Sequence, residues 1–123
     1  MTNLKKKILI IDPDNNDRDS LLTFLQDNEY HVDTGYGLAD AIKNITAKHY
    51  HCVIMAVELP EMKGYEAVSI IKKIDSEIKV IMTTRKNTKQ LEAKVREQDI
   101  FFYFIKSFGK EELKLAINNA FNK

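Results

Sequence analysis

With 123 residues the chain is long enough for one domain with a real core and too short for two ordinary ones. Nineteen basic residues against eighteen acidic ones leave a formal charge of +1, so nothing global argues for nucleic acid or anionic lipid as the main partner. A single cysteine excludes an internal disulfide, and no stretch approaches the roughly 18 consecutive apolar residues of a membrane span, so a soluble protein of the reducing cytoplasm is expected.

The basic run Lys5-Lys6-Lys7 reads as a solvated lead-in to a sheet edge. Ile8-Leu9-Ile10-Ile11 is a β-branched and apolar run stopped by Asp12-Pro13-Asp14-Asn15-Asn16, which predicts a first strand and its loop. Leu21, Leu22 and Leu25 then fall at helical spacing, with Asp14 to Asp17 suited to the positive end of that helix. Tyr30 to Thr34 alternates and is closed by Gly35 and Gly37, as in a partly exposed strand near a sheet edge. Leu38, Ile42 and Ile45 mark a second helix ending near Lys48.

Cys52 to Val57 is apolar at every position, as in a strand buried on both faces, and Leu59-Pro60-Glu61-Met62-Lys63-Gly64 breaks it with turn-forming residues. Ala67, Ile70, Ile71 and Ile74 draw a third helix, and Ile78 to Thr83 a fourth strand. Leu91 and Val95 give only a weak fourth helix. Ile100 to Ile105 is a fifth strand of high β-propensity at the sheet edge, and Leu113, Ala116, Ile117, Ala120 and Phe121 form the stripe of a last helix.

Five strands alternating with five helices, in units of about 20 to 25 residues, predict an α/β domain over 1–123. Its parallel sheet has the order 2-1-3-4-5, with helices on both faces, and reacting groups gather at the carboxyl ends of the strands. Two other motifs have ordinary explanations. Gly35-Tyr36-Gly37 lacks the third glycine of a dinucleotide fingerprint and follows the second strand, so it reads as a tight turn. His49 and His51 beside Cys52 suggest a metal site, but alternation turns the thiol away from the imidazoles, leaving a histidine pair at a helix-to-strand turn.

The strand ends bring together Asp12, Pro13 and Asp14, then Ala56 and Glu58, then Thr83, Thr84 and Arg85, then Lys106 and Ser107. With Ile-Leu-Ile-Ile-Asp, Glu58 to Gly64, Val80 to Thr84 and Tyr103 to Phe108 in register, the chain resembles the receiver domains of bacterial two-component response regulators over essentially its whole length. The resemblance implies a flavodoxin-like fold and a known chemistry. An aspartate closing strand three takes a phosphoryl group from a histidine kinase. Two acids after strand one hold Mg2+ with it, and a lysine and a hydroxyl bind the phosphoryl oxygens while an aromatic ring on strand five turns inward.

By that resemblance Asp12 matches the first acid, Thr84 the hydroxyl, Lys106 the lysine and Tyr103 the aromatic switch. Ala56 stands where the acceptor aspartate belongs, Pro13 where the second acid belongs, Arg85 where a small residue follows the hydroxyl, and Ser107 where proline follows the lysine. A methyl group accepts no phosphoryl group, and Asp12 with the carbonyl of Glu58 is too small a set for a cation that dehydrates reluctantly, so Mg2+ binding is expected to be weak or lost. Ser107 is expected to follow a trans bond, where the family's lysine-proline bond is cis, and to rearrange the loop. Arg85 and Lys106 are expected to pair with Asp12, Asp14 or Glu58 and fix one conformation.

The expected role is therefore a non-enzymatic receiver-like module that contacts a protein partner, or itself, without phosphorylation. Its face would be the fourth helix, fifth strand and fifth helix, with Tyr103 on it and no direct contact to nucleic acid or membrane. The alternative is a regulatory or dimerisation domain of a longer protein with an enzymatic or DNA-binding output domain. The chain starts at Met1 and stops just after a last helix, which suits either.

Overall fold

The strands predicted from unbroken apolar runs lie side by side in the computed structural model, which describes residues 6–121. Residues 1–5 and 122–123 of the expected domain, Lys5 of the basic run among them, lie outside the described residues. Strands β1 (Lys7–Ile11), β2 (His31–Gly35), β3 (Cys52–Ala56), β4 (Lys79–Thr84) and β5 (Phe102–Ile105) form one sheet in the order β2-β1-β3-β4-β5, every neighbouring pair parallel. Between and after them run α1 (Asn15–Asp27), α2 (Leu38–Ala47), α3 (Gly64–Ile74), α4 (Lys89–Arg96) and α5 (Lys110–Phe121).

The two-residue period of the strands divides the core into two layers. Leu9, Ile11, Val53, Met55, Val80 and Met82 face α2, α3 and α4, where Ala41, Ile71 and Val95 meet them. Ile8, Ile10, Cys52, Ile54 and Ile81 face α1 and α5 and pack on Leu25, Leu113 and Ile117. Three helices thus cover one face and two the other. Strand β3 is buried at all five positions, which is why its sequence carries no polar alternation, whereas β2 at the edge buries only Gly35 fully. Burial pushes the Cys52 thiol up to about 12, so it acts as a small apolar group.

The element ends have local causes. The Asp14 carboxylate caps α1 by accepting from the Asp17 N–H at 2.9 Å. Helix α4, weak in apolar content, starts where the Thr88 hydroxyl accepts from the Leu91 N–H at 3.0 Å. Strand β5 begins at Phe102, two residues later than its apolar run suggests. Ile100 packs instead on the α2, α3 and α4 layer, and the Phe101 ring lies 5.6 Å from the Lys79 ammonium.

Glycine is required at residue 64. Its approach to the end of β3 is so close that a Cβ there would overlap the Ala56 carbonyl oxygen. At the opposite end of the sheet His49 and His51 meet edge to face at 5.0 Å. His51 Nδ1 accepts the Lys7 N–H at 3.1 Å, so that ring is a structural partner of β1.

Candidate functional site

The site is built where four strands end. Beyond Ile11 the chain leaves the sheet at Asp12, whose side chain is only 3% exposed, and Pro13 then directs it into the cap of α1. Ala56 closes β3 and sits beside Thr83 of β4 in the strand register, while Lys106 follows β5 in a 3-10 turn, Lys106–Phe108. No cis peptide bond occurs among the described residues, so Ser107 follows a trans bond, as expected.

Six charged side chains converge there. The Lys106 ammonium donates to Asp12 Oδ2 at 2.8 Å and to Asp17 Oδ2 at 2.7 Å. The other Asp12 oxygen, Oδ1, accepts the Asp14 N–H at 2.9 Å, and the Asp12 carbonyl accepts from Arg18 at 2.8 Å. Arg85 forks onto Asp17, with Nε to Oδ2 at 2.9 Å and Nη2 to Oδ1 at 2.7 Å, a bidentate geometry that adds direction to the attraction. A longer contact of 3.4 Å links Arg85 to Asp14.

Those pairs set the protonation of the outer members. The hydrogen bond to Asp17 holds the Arg85 guanidinium above its ordinary pKa, helped by the charges of Asp17 and Asp14. The Asp17 N–H holds the Asp14 carboxyl below its ordinary value, with Arg85 adding to it.

The pairing predicted for the two cations is correct for Asp12 and Asp14 and wrong for Glu58. Glu58 instead takes the Lys63 ammonium at 2.7 and 2.8 Å, because the two residues bridge across the turn after β3 and its carboxylate stays exposed. The carboxylate that sequence reasoning missed is Asp17, which joins both cations. It lies one turn into α1, and helical side chains lean back toward the amino end, here toward the strand ends. That lean, with its spacing from Asp12, is the signal that could have found it.

Tyr103 belongs to this edge of the sheet but is only 6% exposed, so its ring supplies little surface of its own. Its hydroxyl donates to Asn87 Oδ1 at 2.7 Å, and burial raises its pKa. Asn87 donates to Glu92 at 3.0 Å, Glu92 accepts from Arg96 at 3.3 Å, and the Arg96 guanidinium returns to within 5.8 Å of the Tyr103 ring. The inward tyrosine is thus tied to α4. Thr84 spends its hydroxyl in a local turn with the Lys86 backbone at 3.3 Å.

Above Ala56 lies an open cleft of about 640 Å³, reaching from Asp12 and Lys106 across to Tyr65 on α3 and Leu91 and Lys94 on α4. The Thr83 hydroxyl at its floor is buried and has no hydrogen-bond partner among the described residues. No cluster of three or more histidine, cysteine or acidic side chains suited to a metal ion occurs among the described residues.

A family model, the response regulator receiver domain, matches residues 8–118. The chain belongs to that family. Receiver domains are non-enzymatic modules of two-component signalling that dimerise or bind partners, and none of the helices among the described residues is long and apolar enough to cross a membrane. A curated relative, the probable transcriptional regulator ycf27 of Cyanidium caldarium, is 30% identical over 116 residues, which are 94% of this chain and 46% of that protein. The chain therefore spans about half the length of the curated relative it matches. A two-component response regulator from Clostridium difficile superposes with a TM-score of 0.90 at 23% identity, covering 97% of this chain and 98% of that one. The beryllofluoride-activated NtrC4 receiver domain dimer superposes with a TM-score of 0.87 at 25% identity, covering 94% and 96%.

Proposed function

We propose that this chain is a degenerate receiver, a single domain over 1–123 that signals through protein contacts without being phosphorylated. The observation that carries the reading is the side chain at the end of β3: Ala56, a methyl group, lies at the strand ends where Lys106 and Asp12 meet. An acceptor carboxylate opposite the lysine is the group the family's chemistry needs. Asp12 is no substitute, because both of its oxygens are engaged, and Glu58 points to solvent.

The same arrangement argues against the family's magnesium ion. Pro13 and Ala56 bring no side-chain oxygen, and the ammonium of Lys106 already neutralises Asp12 and Asp17. A hard divalent cation would have to displace that lysine and recover its ligands from fewer than the usual carboxylates. With Lys106 and Arg85 holding α1 against β4 and β5, and Tyr103 tied inward to Asn87, the domain keeps one conformation.

The contact face in this reading is α4, β5 and α5. Arg96 over Tyr103 and Leu115 on α5, which is 64% exposed, are side chains of those elements within reach of a partner. Replacing Arg96 and Leu115 by alanine weakens partner capture or self-association, and full retention of every contact by the double variant would count against the face. The domain itself contacts neither nucleic acid nor membrane and works in the cytoplasm.

One observation favours a second reading of scale. Because the chain spans 46% of a probable transcriptional regulator, it suits the role of a regulatory or dimerisation domain of a longer protein with a DNA-binding or enzymatic output domain. The NtrC4 dimer supports self-association as the mode of contact. The decisive experiment is incubation with acetyl phosphate and Mg2+ followed by intact mass measurement. No phosphoryl gain is expected, and a stable phosphorylated species would overturn the proposal.

A further inference from the structure

The charges around the cleft above Ala56 are unevenly balanced. Lys106 and Arg85 are spent on Asp12, Asp14 and Asp17, and Lys63 on Glu58. Lys86 and Lys94 line the same cleft and have no carboxylate partner among the described residues. The α1 side is thus balanced, three carboxylates against Lys106, Arg85 and Arg18, whereas the α4 side carries two uncompensated ammonium groups. A cleft polarised in this way attracts an anion to its α4 side.

The wall beside those lysines is apolar. Val57 forms the floor next to Ala56, the Tyr65 ring stands on α3, and Leu91 faces the cleft one turn before Lys94. Tyr65 and Leu91 are only half-buried by the core beneath them, so each keeps surface for a ligand. The volume of about 640 Å³ falls within the range of small-molecule sites, roughly 300 to 1,000 Å³.

We propose that this cleft binds a small organic anion, a flat apolar body carrying one phosphate or carboxylate group. The body lies against Val57, Tyr65 and Leu91, and the anionic group meets Lys86 and Lys94. The inference rests on the reading that Ala56 takes no phosphoryl group, and it assigns the regulation of the same pocket to a ligand held without a covalent bond. Because the cleft borders both α3 and α4, an occupant there bears on the helix that anchors Tyr103 through Asn87.

The test is a titration of the full 123-residue chain followed by amide NMR, with phenyl phosphate, benzoate, inorganic phosphate and phenol as separate probes. Phenyl phosphate or benzoate is expected to give saturable shifts at residues 57, 65 and 86–94, with affinity at least about tenfold above inorganic phosphate and phenol. Whichever of the two binds more tightly identifies the anionic group. A double variant, Lys86→Gln with Lys94→Gln, changes two exposed side chains; it is expected to keep the remaining spectrum and weaken binding about tenfold.

Inorganic phosphate or phenol binding as tightly as phenyl phosphate would overturn the proposal, as would an unaffected double variant or the absence of saturable shifts. Intact mass after acetyl phosphate treatment separates the two readings. A phosphoryl gain refutes the unphosphorylated receiver whatever the probes do, whereas no gain together with no shifts refutes only the ligand site.

Discussion

Replacing Lys106 by methionine removes the ammonium that Asp12 and Asp17 share while leaving a chain of similar length to fill its space. Asp12, with a side chain only 3% exposed, then keeps one hydrogen bond, from the Asp14 N–H, and loses its cation. Breaking a buried ion pair by removing one partner costs about 3–5 kcal/mol. The Lys106 side chain is itself 17% exposed and the cleft is open to water, so the value here belongs below that range, at about 2 kcal/mol.

Asp17 loses less, because Arg85 still forks onto it. Urea unfolding at neutral pH measures the change as a lower midpoint at unchanged slope. Adding Asp12→Asn to Lys106→Met should recover part of the loss, since the orphaned carboxylate is then gone. A Lys106→Met protein as stable as the parent, or a double variant less stable than either single one, would refute the view that the cluster is a mutually neutralised unit.

Further outcomes follow from groups around the site. Thr83→Val removes a buried hydroxyl with no partner and keeps the side-chain shape, so it should raise stability by about 1 kcal/mol in the same urea assay. Glu61→Ala should cost about 0.5–1 kcal/mol, because the Glu61 carboxylate accepts the Leu38 and Ala39 N–H groups and caps α2 in place of a side chain at Gly37. Those two N–H donors lower the Glu61 pKa in the folded state. Its contribution is therefore fully present above the unfolded value of about 4.3 and fades as pH falls through the folded value, so the gap between parent and variant should close in acid. Tyr103→Phe deletes the bond to Asn87 and should leave α4 less protected in amide exchange, with the largest change over residues 87–92.

The fold was legible because its strands are buried on both faces and so read as unbroken apolar runs, and because glycine, proline and capping residues stand at their ends. Strand β5 was overextended for the same reason: Ile100 and Phe101 are apolar, but the paired register starts only at Phe102 opposite Ile81, Phe101 reaching β4 by a single N–H on the Val80 carbonyl at 2.7 Å and Ile100 packing on a helix layer. Helix α4 looked weak because only Leu91 and Val95 face the core, and its start depends on the Thr88 cap more than on periodicity.

At the site, the strand ends placed Asp12, Ala56, Thr84 and Lys106 correctly as neighbours, since sheet order alone determines that. Which carboxylate meets which cation was not legible. Asp17 reaches the cluster through the lean of a helical side chain, and Glu58 leaves it through a local turn with Lys63. The cap of α2 by Glu61 spans 23 residues, and the tie between Tyr103 and Asn87 joins a strand to a loop, so neither has a sequence period to announce it.

In the proposed reading, the pocket at the strand ends is held in one state by its own side chains. Amide NMR spectra recorded before and after addition of acetyl phosphate and Mg2+ test it most directly, at Asp12, Ala56, Thr84, Tyr103 and Lys106. Unchanged positions are expected for all five. A second set of signals at Ala56, Tyr103 and Lys106 that appears with the donor and decays as it is consumed would contradict it.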